Sequence, residues 1–171
     1  TAILRSQGIH TSKAMVLELM REMGLVSLRQ GAKKFYEDNT RRPKNYVNQQ
    51  FNPQAPNEIW VSDVTYYKYN GNAYYICVVI DLFARKVIGY KIGKSNSTYL
   101  IKSTFSQAYA LRNSPKTLIF HTDRGVNYRS KHFNNYTKKL GITHSFSRAY
   151  VPYDNSVVES FFASFKREEL Y

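Results

Sequence analysis

Two runs rich in β-branched and aromatic residues, Glu58–Tyr69 (EIWVSDVTYYKY) and Ala73–Ile80 (AYYICVVI), flank Asn70-Gly71. Asn-Gly is the strongest short hairpin signal, because a type I′ turn needs positive φ at both central residues. This pair commits the middle of the chain to antiparallel strands. A third strand, Lys86–Ile92, follows a turn at 81–84 and extends the hairpin to a meander. The pattern then changes period. Ser97–Arg112 carries Leu100, Ile101, Thr104, Phe105, Ala108 and Leu111 on a helical stripe. A short apolar strand (Thr117–His121), a helix closed by Gly141 (Ser130–Leu140), a strand (Ile142–Phe146) and a helix from Ser156 complete the order βββαβαβα. The expected fold class is α/β: a five-stranded mixed sheet with helices on both faces.

Upstream, residues 1–30 read as a small helical segment. Val16, Leu17, Leu19, Met20 and Met23 form one apolar face, with Thr11 or Ser12 as N-cap and Gly24 as C-cap. Part of a helix-turn-helix and a hairpin that packs on the core are both compatible with it. Residues 31–56 are polar and basic with three prolines, and read as a linker. Its Lys33, Lys34, Arg41, Arg42 and Lys44 suit either a phosphate backbone or solvent. Residues 57–171 are the expected folded core. Thr1 falls in what reads as a continuing helical region, and the last helix lacks a C-cap signal, so a piece of a longer protein is expected.

Composition narrows the function. The 171 residues include 25 Lys and Arg against 12 Asp and Glu, a net charge of +13. Such a field attracts polyanions, nucleic acid first among them. No run approaches the roughly 20 apolar residues of a membrane span, and no secretory leader opens the sequence. The single cysteine, Cys77, suits a reducing cytoplasm and reads as an inert core residue; with four scattered histidines it gives no zinc site.

Because acids are scarce, their positions are informative. Asp63 lies inside the first strand, where Asp is disfavoured; Asp123 caps the apolar strand Thr117–His121, in the run His121-Thr122-Asp123-Arg124-Gly125; Glu159 lies in the first turn of the last helix among Val157, Val158, Phe161 and Phe162. Each has a local explanation: a backbone bond at a bulge for Asp63, a turn for Asp123, a capping box with Ser156 for Glu159. Convergence of all three gives the oxygen donors that Mg²⁺ or Mn²⁺ prefers, and two such ions about 4 Å apart serve phosphodiester chemistry. Asp81 reads as a turn residue and is the alternative should Asp63 not take part.

The motifs Trp60–Tyr66 (WVSDVTY), Val79–Arg85 (VIDLFAR), His121–Gly125 (HTDRG) and Asp154–Phe162 (DNSVVESFF) resemble the integrase catalytic core of bacterial insertion-sequence transposases, relatives of retroviral integrases. Thirty-five residues separate Asp123 from Glu159, the D,D(35)E spacing of that family, and Lys166 follows Glu159 by seven residues, about two helical turns. The run Ser147–Tyr153 lacks the glycine that many relatives carry there. The resemblance implies an RNase H-like fold with Asp63, Asp123 and Glu159 as a catalytic, metal-binding triad. It implies two Mg²⁺ or Mn²⁺ ions, hydrolysis at an element's end, and attack of the freed 3′-OH on a phosphodiester. DNA ends, target DNA and further copies of the chain are the implied partners. A nuclease of the same fold without strand transfer and a non-catalytic DNA-binding remnant are the alternatives.

Four further residues are candidate DNA contacts. Lys166 touches phosphate or stands in solvent. Arg148 and Asn155 flank the active-site edge, Asn155 being equally suited to cap a helix. Arg124 contacts phosphate or pairs with a nearby acid. His121 packs locally or stands near the metals, Tyr128 approaches DNA, and Trp60 with the tyrosines stacks on bases or fills the core.

Overall fold

A computed structural model describes residues 1–25, 43–149 and 151–170. The chain divides into two units, 1–41 and 42–171. In the first, α1 (Ala2–Ser6) precedes α2 (Lys13–Glu22). Ser12 caps α2, its Oγ accepting from the Met15 amide at 3.1 Å, and Gly24 ends it at φ +64°. Among the described residues of this unit the expected apolar face forms no core: no residue of α2 is buried.

The second unit is built on five strands: β1 (Ile59–Tyr69), β2 (Asn72–Asp81), β3 (Lys86–Gly93), β4 (Ile119–Thr122) and β5 (Thr143–Phe146). They lie in the order β3-β2-β1-β4-β5. β1 and β2 pair antiparallel down to Tyr69↔Asn72, with Asn70 at φ 46° and Gly71 at φ 74° closing the expected turn. β3 adds antiparallel to β2 with an irregularity between Val79 and Ile80. β4 pairs parallel to β1, and β5 parallel to β4.

Alternation along the strands makes two cores. Trp60, Cys77, Val79 and Phe120 point to one face, where α3 (Thr98–Leu111) and α4 (Lys131–Lys139) supply Ile101, Phe105 and Phe133. Phe105 meets Phe120 edge to face, with centroids 4.7 Å apart. Gly89 lets β3 and α3 approach: a Cβ there would stand 2.9 Å from the Ala108 Cβ. Val61, Ile76, Val78 and Ile80 point to the other face, under Val158 and Phe162 of α5 (Ser156–Phe165). Trp60 is thus core rather than a base-stacking platform.

Two expectations change here. Residues 26–42 of the helical segment and linker, including Lys33, Lys34, Arg41 and Arg42, lie outside the described residues. The rest of the linker, 43–56, is a strap on the core. Val47 is 2% exposed, the Lys44 carbonyl accepts from the Phe146 amide at 2.9 Å, and the Tyr46 amide donates to Ser145 Oγ at 2.9 Å. Its polar side chains answer polar groups of the core, which composition does not distinguish from hydration. Asp81 keeps the turn role read for it, accepting from the Phe83 amide two residues on, but it is also fully buried, pairs with Arg112 and accepts from the Asn57 amide. It is structurally committed and is no substitute for Asp63.

Candidate active site

The parallel register of β1 and β4 ends at Ser62↔Thr122, so Asp63, in the middle of β1, and Asp123, just past the end of β4, follow side by side. Parallel neighbours are about 4.8 Å apart in backbone. Asp63 pairs across with Val78, which faces α5, so the Asp63 side chain leaves the sheet on that face. α5 is anchored on the same face by Val158 and Phe162, both buried, while Glu159 between them is exposed. Glu159 is therefore not embedded in the apolar stripe; helical rotation turns it off that stripe. Asp63, Asp123 and Glu159 line one cleft of about 430 Å³, together with Arg124, Arg148 and Asn155.

Local bonds orient the two aspartates. Asp63 Oδ1 accepts from the Val64 amide at 2.7 Å, in a regular strand rather than at a bulge. Asp123 Oδ1 accepts from the Gly125 amide at 2.9 Å, so the turn role and the cleft role coexist. Burial pushes the Asp63 carboxyl up to about 7; the Val64 amide opposes this, and the negative charges of Asp123 and Glu159 add to it. The cleft is thus an anionic spot on a strongly basic chain. Among the described residues, no three His, Cys, Asp or Glu side chains are gathered into a group that could hold a metal ion.

The other candidates divide. The Arg124 Nε donates to the Ser147 carbonyl at 2.7 Å instead of pairing with Asp123. Arg148 grips Asp154 with Nε at 3.0 Å and Nη2 at 3.1 Å. Asn155 occupies the N-cap position of α5 without a side-chain cap bond, and its buried Oδ1 has no partner among the described residues. The capping box of Ser156 and Glu159 is accordingly not formed at that start. Lys166 does not line the cleft; its Nζ sits 5.7 Å from the Tyr66 ring centroid, at the start of a wider turn, Lys166–Leu170. Tyr128 is 2% exposed, with its hydroxyl 2.7 Å from Ser62 Oγ, which removes it from any DNA contact.

Sequence reasoning assigned no role to Asp154, yet it is the hub behind the cleft. Fully buried, it accepts from Asn45 Nδ2 (2.7 Å), Gln49 Nε2 (3.0 Å), and the backbone and guanidinium of Arg148. Burial would raise this carboxyl, but the bonds from Arg148 and Gln49 hold it well below the usual carboxylate range. Its carbonyl lies 2.8 Å from His121 Nε2. Burial lowers the His121 imidazole against the pull of Asp154, and His121 is a packed structural residue that does not line the cleft. The signal was available: in a chain so poor in acids, a carboxylate just before an apolar helix needs a partner.

A mixed sheet in this order, with one carboxylate within β1, one just past the end of its parallel neighbour β4 and one on the helix beside them, defines an RNase H-like core. Within that class, the chain belongs to the integrase core domain family, whose profile matches residues 53–152. It is 35% identical over 174 residues to the transposase for insertion sequence element IS904 of Lactococcus lactis, covering 98% of this chain and 68% of that protein. An Escherichia coli transposase, of insertion sequence IS3A, is 33% identical over 170 residues, 96% of this chain and 58% of its own length. The HTLV-2 integrase catalytic core domain, solved in complex with magnesium, superposes with a TM-score of 0.56 at 29% identity, over 67% of this chain and 70% of that one. A simian T-cell lymphotropic virus intasome chain shares the fold at a TM-score of 0.60 and 24% identity, over 75% and 47%. No helix among the described residues is long and apolar enough to cross a membrane.

Proposed function

We propose that this chain is the catalytic core of an insertion-sequence transposase, with Asp63, Asp123 and Glu159 as the carboxylates that carry phosphodiester hydrolysis and DNA strand transfer. The observation behind this reading is the meeting of three carboxylates from β1, the end of β4 and α5 on one cleft of a chain with net charge +13. The donor set fits Mg²⁺ or Mn²⁺, being all hard oxygen. An unneutralised Asp63, raised by burial and by two neighbouring carboxylates, is what a cation would relieve. Bound divalent ions would supply activation of the attacking oxygen and charge stabilisation of the leaving one.

Asp63 and Asp123 are oriented by the amides of Val64 and Gly125, and Glu159 approaches from α5. The attacking water forms a bond to phosphorus while the 3′ oxygen departs and takes a proton. The freed 3′-OH then attacks a second phosphodiester, releasing another 3′ oxygen. No nucleophilic Ser, Tyr or Cys is required. On this reading Arg124 and Lys166 meet DNA phosphates, Asn155, only 6% exposed, meets them through what it shows to the cleft, and Arg148 offers only the edge not held by Asp154. In this reading the chain works as a multimer on paired DNA ends.

One observation favours the non-catalytic remnant reading: the absence, among the described residues, of a group of three ligands ready for one ion. DNA phosphate oxygens complete such shells in phosphoryl-transfer sites, so the two readings part when DNA is added. Asp63→Asn, Asp123→Asn and Glu159→Gln should each remove Mn²⁺-dependent nicking and joining of labelled duplex while retaining DNA binding. Wild-type chain that binds duplex but yields neither nicks nor joined products at any Mn²⁺ concentration would establish the remnant; nicks without joined products would establish the nuclease.

A further inference from the structure

We propose a second DNA-binding surface, a basic cleft between β3, α3 and α4 that takes the phosphate backbone of a separate duplex segment. It rests on the reading that the chain acts on DNA. The cleft measures about 560 Å³ and is lined by Lys91, Lys102, His132, Tyr99 and Gln107 among others. Its location follows from register. Lys91 pairs with Cys77, which faces α3 and α4, whereas Asp63 pairs with Val78, which faces α5. The basic cleft and the acidic cleft are therefore on opposite faces of the sheet, and a straight duplex seated in one does not reach the other.

The chemistry of the lining selects the ligand. Neither α3 nor α4 contains an Asp or Glu, and α4 adds exposed Lys131, Lys138 and Lys139. Among the described residues no carboxylate pairs with Lys91 or Lys102. Lys102 is half-buried, its Nζ 4.7 Å from the Tyr136 ring centroid and 3.1 Å from His132 Nε2, so the ammonium is held in the cleft rather than swinging in solvent. Ser103 and Ser106 direct their hydroxyl protons to the carbonyls of Leu100 and Lys102, which leaves the Lys, His and exposed Tyr99 groups to meet a ligand. These donors reject cations. Spaced cations with an exposed aromatic suit a polyanion backbone and do not read sequence.

The test is fluorescence anisotropy of a labelled random-sequence 20-bp duplex without metal, from 50 to 200 mM KCl. The proteins are wild type, Lys91→Gln/Lys102→Gln, a charge-matched control Lys86→Gln/Lys116→Gln, and Lys102→Arg, each with its melting temperature. The cleft variant should lose about 1.8 from the slope of log K against log salt, and roughly tenfold in affinity per lysine at 0.1 M salt. The control should lose little, and Lys102→Arg, which retains charge and stacking, should bind as wild type. Equal slopes for cleft variant and control, or tight binding of the cleft variant, would overturn the proposal. Binding that follows this pattern in a chain that never nicks DNA would refute the catalytic reading and leave this surface standing. Intact nicking with an unchanged slope would do the reverse. Should the cleft variant melt early, loss of binding in Lys91→Gln alone, which removes no buried packing, decides; its absence overturns the surface.

Discussion

Asp63 illustrates how much a single position can report. Its carboxyl is held at about 7 in the folded chain, against 3.8 for the ordinary group. The folded state therefore binds that proton more tightly than the unfolded state, and the metal-free fold gains stability as pH falls from about 7 towards 4. Above pH 7 the charge is a standing cost, on the order of 2–4 kcal/mol. Asp63→Asn should stabilise the metal-free chain at pH 8 and lose that advantage near pH 4, as followed by urea unfolding across pH. Parallel stability curves for the two proteins would show the carboxyl is not perturbed. Gly125 makes a second residue-scale case: a Cβ there would stand 2.9 Å from Asp123 Oδ1. Gly125→Ala should lower Mn²⁺-dependent nicking at least tenfold by displacing that carboxylate. Its melting temperature should move by only a few degrees, measured by circular dichroism.

Elements are joined around the cleft by Asp154. It ties the 43–49 strap, the loop after β5 and the turn before α5, while its carbonyl reaches His121 on β4. These pieces carry Arg148, Asn155, Glu159 and Asp123, so the cleft's width depends on a carboxylate outside its lining. Asp154→Ala would leave Asn45 and Gln49 without their partner and release Arg148. Melting should fall by roughly 5–10 °C. Nicking should fall more than DNA binding, since positioning rather than charge at the DNA is lost. Equal losses of both would indicate a direct DNA role for Arg148.

For the whole molecule, the division at 41/42 and the strap make a clear expectation. A chain of 42–171 should melt within about 3 °C of the 171-residue protein. A chain of 52–171 should melt much earlier, because it loses buried Val47 and the partners of Asp154 and Ser145. Comparable melting of the two truncations would mean the strap is not part of the cooperative unit.

The sequence alone determined the order of strands and helices and the Asn70-Gly71 turn, and it singled out three acids that line one cleft, because these are local patterns: period, turn chemistry, and a charged residue where apolar ones are favoured. Other assignments needed the folded chain. The side-by-side placement of Asp63 and Asp123 depends on the register of strands that are distant in sequence. The commitment of Asp81 to Arg112 and of Tyr128 to Ser62 depends on partners brought from 31 and 66 residues away. The strap looked like a linker because its polar residues bond to groups buried elsewhere. A residue's type limits what it can do; its partners, set by packing across the sheet, decide which of those things it does.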